Sequence, residues 1–220
     1  MKTGQKPDLE KTVLAIIGCV TAIKPLQAPD CHHLSAAAGW LDLGRHIEAN
    51  EELQKIAPEN AAHPDVLEVL WHINAKTGQW QFCVEIAAAI IKLDAERSFG
   101  WIHSSIALHK LKRTREAFDQ LRPVADRFPN VWRIPYALAC YCAQMERFIE
   151  SQLWLQRAMA VDRETVRRTA LADPDLQPLW ASMVGKIVKR GLTVDPSPDV
   201  RRNSSFMLSA PRYHCRPSAN

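Results

Sequence analysis

The sequence predicts an all-α chain built as a stack of helical hairpins, and three observations predict it. Cutting the chain every 34 residues from Asp30 gives four blocks, 30–63, 64–97, 98–131 and 132–165, that share one register without an insertion. Each block holds two runs whose apolar residues recur at helical spacing, about 3.6 residues per turn. Glycine is scarce, with 8 against 14 prolines, while the good helix formers Ala, Leu, Glu, Gln and Arg are abundant.

The first run of a block carries its stripe mainly at block positions 4, 7, 8, 10, 11 and 14. In the second block these include Leu67, Leu70, Trp71 and Ile73, with Asn74 and Thr77 as polar exceptions; in the fourth they include Leu138, Ala139, Tyr141, Cys142 and Met145. A turn follows, marked by Gly44 and Gly78 in the first two blocks. The second run presents positions 20, 24 and 27 on one face. Position 20 is small throughout, as Ala49, Cys83, Ala117 and Ser151, which lets two helices approach closely. Position 24 holds Leu53, Ala87, Leu121 and Leu155, and position 27 holds Ile56, Ile90, Val124 and Ala158. A single hairpin cannot cover such faces, so neighbouring blocks must stack to exclude water. Pro123 falls inside the second run of the third block, where a missing N–H and a ring clash predict a kink.

These blocks resemble the tetratricopeptide repeat family, a unit of about 34 residues with a large–small pattern of Trp, Leu-Gly, Tyr, Ala, Phe, Ala and Pro. The matching residues are Trp40, Gly44 and Ala49 in the first block; Trp101, Ala117, Leu121, Val124 and Pro129 in the third; and Tyr141, Phe148, Leu155 and Ala158 in the fourth. Lys112 and Glu146 depart from the pattern by replacing the turn glycine. The phrases "PYALACYCAQMERF" and "ALADPDLQPLW" are similar to those of stand-alone bacterial tetratricopeptide proteins of no established activity. The resemblance implies a right-handed superhelix, an α-solenoid of four repeats with a C-terminal capping helix, whose first helices line a concave groove.

The ends of the chain read differently. A short helix over roughly 163–171 bridges to a cap in "LADPDLQPLWASMVGKI", with Asp173 as N-cap, Pro174 at the first helical position and Asp175 favouring the positive helix end. Leu176, Leu179, Trp180 and Met183 form the stripe expected to lie on the fourth block. The organisation expected is therefore a leader or extra helix over 1–29, a solenoid over 30–190 with capping helices from 166, and a disordered basic tail over 191–220. Residues 186–220 hold seven basic residues against two acidic ones, so the net charge of +4 divides into +5 there and −1 in the rest.

Charge and composition also bound the function. A near-neutral body argues against a nucleic-acid interface on the solenoid, and no apolar run approaches the ~20 residues that span a bilayer. Six scattered cysteines suit reduced thiols in a cytoplasm. The alternative location rests on "IIGC", similar to a lipoprotein cleavage box with Cys19 acylated, although Asp8 and Glu10 precede it and its apolar core is short.

No catalytic motif is present: there is no phosphate-binding Gly-rich loop, no G-x-S-x-G and no H-E-x-x-H, so the chain is read as no enzyme, with no cofactor. Cys140 and Cys142 are two residues apart on a helix, about 200° of rotation, and cannot grip one metal; both are read as packing. Cys31-His32-His33 lacks a second ligand pair at metal-site spacing.

What remains is a binding surface. In the resembled family the groove-facing block positions are 2, 5, 9, 12 and 13. They place His72, Phe99, Ile102, His109, Lys110, Arg133, Tyr136 and Gln144 toward a partner, with an apolar and aromatic centre of Phe99, Ile102 and Tyr136 flanked by His109, Lys110 and Arg133. Such a face suits a peptide or protein segment with one hydrophobic anchor and an acidic group. The Lys and Asn clamp of the chaperone-tail class is absent, since the corresponding positions hold Leu34 and Ala38. The function expected is a non-catalytic interaction scaffold. Two rivals are anion binding, to nucleic acid or a membrane surface, through the basic tail, and lipid-anchored assembly through Cys19. A third possibility concerns the groove alone, which "TVLAIIGCVTAI" would cover by folding back.

Overall fold

The computed structural model describes residues 24–189, and among them the secondary structure is entirely helical. The leader, the Cys19 box and the basic tail lie outside the described residues. The α-helices are α1 (Asp30–Asp42), α2 (His46–Leu53), α3 (Pro64–Lys76), α4 (Trp80–Leu93), α5 (Ser98–Lys110), α6 (Thr114–Leu121), α7 (Arg133–Gln144), α8 (Phe148–Val161), α9 (Arg163–Ala172) and α10 (Gln177–Lys189). Short 3₁₀ turns occupy Pro58–Asn60, Arg122–Val124 and Pro174–Leu176. None of these helices is long and apolar enough to cross a membrane.

Two compact units divide the chain, with the boundary after Gly100. In the first, α1 pairs with α2 and α3 with α4, and α3 also touches α1 and α2. In the second, α7 pairs with α8, α6 packs on α7, and α9 and α10 close against α8.

The 34-residue period is written into the backbone itself. Block position 15 has a positive φ in all four hairpin turns: Gly44 and Gly78 at 76°, Lys112 at 65° and Glu146 at 59°. The hydrogen bonds repeat with it. The residue at position 15 donates three residues back and the next donates five back, as in Gly44 N to Leu41 O (2.9 Å) with Arg45 N to Trp40 O (2.8 Å). The fourth block repeats this with Glu146 N to Ala143 O (3.1 Å) and Arg147 N to Cys142 O (2.8 Å). This is the Schellman closure of a helix end, which needs one residue in the left-handed region. The two turns without glycine adopt it all the same.

The small residues at position 20 sit where the period puts them. Ala49, Cys83, Ala117 and Ser151 are fully buried. The two with a polar atom use it alike: Cys83 Sγ donates to Trp71 O (3.6 Å) and Ser151 Oγ to Ala139 O (2.8 Å), both carbonyls at position 8 of the facing helix. Positions 24 and 27 are buried in every block.

Pro123 does not kink its helix. The α-helix stops at Leu121, and Arg122–Val124 continues as a 3₁₀ turn with the proline in its first positions, where no backbone N–H is required. A glycine unmarked by the repeat pattern matters more. A Cβ on Gly100 would stand 2.8 Å from Ile91 Cγ1 and 3.2 Å from Ala87 O, so only glycine fits α5 against α4 there.

Candidate functional site

The positions expected to face a partner are best described unit by unit. In the first unit, Asp65 and Glu68, at positions 2 and 5, are bound by Arg97, whose Nη1 lies 2.5 Å from Asp65 Oδ1 and 2.8 Å from Glu68 Oε1. Those carboxylates hold the Arg97 guanidinium protonated more firmly than usual, against the opposing effect of its burial. His72 is buried, with its ring 5.6 Å from Phe99 and 5.3 Å from Trp71, while Phe99 itself is half-buried. The face is thus an ion-paired and aromatic wall, with His72 inside it rather than on it.

The second unit carries the other six residues. Ile102 and Tyr136 are buried, His109 and Arg133 are half-buried, and Lys110 and Gln144 are exposed. Arg133 rests beside Trp132, 5.8 Å from the ring centroid, and burial lowers its pKa.

Tyr136 is covered by this chain's own capping segment. Its hydroxyl donates to Asp173 Oδ2 at 2.7 Å, and the Cys140 thiol lies 3.7 Å from the same oxygen. Burial, with the acidic neighbour adding to it, pushes the ionisation of both groups well above their ordinary values. His109 Nε2 stands 3.3 Å from Asp175 Oδ2, and Gln144 Nε2 donates to Asp175 O at 2.8 Å. The hydrogen bond from His109 holds the Asp175 carboxyl below the usual carboxylate range, with Lys110 and Lys112 contributing their charge.

The segment is held locally as well. Asp173 Oδ1 accepts from Asp175 N at 2.9 Å, which is the N-cap that the sequence indicates, and Pro174 follows it at the start of a 3₁₀ turn. Leu176 and Leu179 are fully buried, whereas Met183, at 37% exposure, leaves the expected stripe. Trp180 is anchored through its Nε1 to Ala170 O at 3.1 Å.

Cys140 and Cys142 leave α7 on different sides, the first toward Asp173 and the second beside Glu150 and Arg147. Burial pushes the Cys142 thiol up to about 12. No cluster of three or more metal-ligating side chains occurs among the described residues. His33, from the Cys31-His32-His33 run, instead pairs with Glu52 at 3.0 Å. In the second unit, a cleft of about 340 Å³ is lined by Asp119, Arg122, Pro123, Asp126 and Trp154.

No protein-family model matches this chain, and no curated protein matches its sequence. Solved structures do match. A MamA RS-1 double mutant superposes with a TM-score of 0.54 at 18% identity, covering 76% of this chain and 98% of that one. MamA AMB-1 gives 0.51 at 16%, covering 75% and 94%. The fold is a tetratricopeptide-type solenoid of helical hairpins. At this identity the likeness carries the fold alone, and the tetratricopeptide-type arrangement gives the burial pattern its meaning: first-helix positions 5, 9, 12 and 13 of the last two repeats, Tyr136, Cys140, His109 and Gln144, are those that touch residues 173–175. Sequence reasoning chose three of these four as site residues and placed Cys140 by packing. It did not find that the cap would sit on them.

Proposed function

We propose that the protein is a non-catalytic scaffold that binds another protein through the first-helix face of its repeats. One observation carries this reading. In the second unit Lys110 and Gln144 are exposed and Arg133 is half-exposed on the face where His109, Tyr136 and Gln144 already hold an acidic backbone segment. Side chains of this face already pair with Asp173 and Asp175 of the chain itself, and this supports recognition of polypeptide, with polar contacts setting register and an apolar anchor supplying affinity. The proposed contact residues in the second unit are Lys110, Arg133, Gln144 and His109, with Ile102 and Tyr136 buried in that unit; in the first unit, taken by itself, Phe99 is the proposed contact and His72 is buried.

The test uses the full chain with a photo-crosslinking amino acid in place of Lys110 or Gln144, exposed in cells and followed by mass spectrometry. A discrete crosslinked protein is expected, its yield cut by Arg133→Glu while the far-ultraviolet circular dichroism stays unchanged. Equal yield from a crosslinker at Leu43, which is 71% exposed and remote from these positions in sequence, would refute the assignment.

A further inference from the structure

We propose that residues 173–176, Asp-Pro-Asp-Leu, are a resident ligand of the second unit's first-helix face, and that the partner bears the same chemistry: two carboxylates two residues apart followed by an apolar anchor. The proposal rests on the scaffold reading above and specifies what that face takes.

The geometry is that of a bound peptide. Asp173 offers one carboxylate oxygen to the Tyr136 hydroxyl at 2.7 Å and the other to its own turn. Asp175 is gripped through both side chain and main chain, by His109 at 3.3 Å and by Gln144 at 2.8 Å. Leu176, the next residue, is fully buried and is the segment's apolar anchor. The receiving residues come from two consecutive repeats, His109 from α5 and Tyr136 and Gln144 from α7, and they meet a segment that turns as a short 3₁₀ helix over Pro174–Leu176. Lys110 and Lys112 add positive charge around Asp175, so the receiving surface complements an acidic occupant.

The contacts with the face, from Tyr136, His109 and Gln144, go to two carboxylates and a backbone carbonyl, groups that a segment of another molecule also carries. What favours the resident copy is its tether. A short covalent link gives an effective concentration in the millimolar range, so a free segment with the same contacts must exceed that to compete. Weakening the resident therefore exposes the receptor. The side chain of Asp175 is 31% exposed, which leaves an edge of the segment from which exchange can start.

The probe is a fluorescein-labelled peptide of residues 171–178, Leu-Ala-Asp-Pro-Asp-Leu-Gln-Pro, titrated by anisotropy against the full chain and against its Asp173→Asn/Asp175→Asn variant. Binding to the variant is expected to be at least about tenfold tighter than to the parent, since removing the resident's charge lowers its hold by that order. A peptide in which both aspartates are replaced by asparagine should bind several-fold more weakly. Adding Tyr136→Phe to the variant should weaken the aspartate peptide again. Equal affinity for the two peptides, or no binding to a variant whose circular dichroism matches the parent, overturns the proposal and makes the segment a permanent cap. Where the variant does not fold, the parent is used at millimolar peptide, and hydrogen exchange of the α10 amides is read: acceleration supports displacement, and unchanged protection refutes it. A protein crosslinked at Lys110 that the peptide fails to compete away would sink this inference while leaving the scaffold reading intact.

Discussion

Replacing Lys112 or Glu146 by glycine should stabilise the protein. Both residues hold φ near +60° at a hairpin turn, where an L side chain crowds the following carbonyl at a cost of about 1–2 kcal/mol. Glycine removes that cost but gives the unfolded chain more freedom, which returns about 0.4–1 kcal/mol. The net gain is therefore centred on about 0.8 kcal/mol for each site, within a range of about 0–1.6 kcal/mol. Glu146→Gly is the cleaner case, because Lys112 also lends charge to Asp175. The measurement is the urea midpoint at constant m, where about 1 kcal/mol in a chain of this size also raises Tm by roughly 2–4 °C. The reverse change, Gly44→Ala, should cost about 1 kcal/mol through φ alone, since a Cβ there meets nothing within 4 Å. If Glu146→Gly lowers the midpoint as an ordinary surface glycine would, position 15 does not hold the left-handed conformation and the four-fold identity of the turns fails.

Two further outcomes follow from the same geometry. Gly100→Ala forces a methyl to within 2.8 Å of Ile91 and should lower stability by about 1–3 kcal/mol, checked by the same urea titration; a neutral result would mean that α5 and α4 are less closely apposed. Asp175, with its pKa depressed chiefly by His109, stabilises the cap at pH values above the unfolded carboxylate range and loses that contribution as pH falls through its lowered folded value. Acid unfolding should therefore begin at higher pH in Asp175→Asn than in the parent, and coincident acid transitions would remove Asp175 from the account.

Much of the fold was legible because the repeat is a matter of spacing. Position 20 could be read as a helix contact from four small residues alone, and the turn at position 15 from two glycines, because each rule acts within one hairpin. The same reasoning could not tell that Lys112 and Glu146 would accept the glycine conformation, since the pull of the surrounding helix pair is not written at the turn itself. Pro123 gave the right place for a break and the wrong form, because a 3₁₀ turn accommodates the ring at lower cost than a bend. Gly100 carried no signal; its need arises from the side chain of Ile91, reached only when the helices pack. The cap shows the limit most clearly. Asp173 was readable as an N-cap from its own neighbours, but its second oxygen binds Tyr136, 37 residues earlier, and no local pattern announces that pairing.

Ser151 and Cys83 bridge their hairpins from the inside, each spending its single proton on a carbonyl of the opposite helix. A kinase or an oxidant cannot reach either atom while the two helices touch, and burial pushes the Cys83 thiol up to about 12, leaving almost no thiolate to react. Chemical marking at these two atoms is therefore a clock: it ticks only when the hairpin that contains the atom has come apart, and it keeps separate time for the two units of the chain.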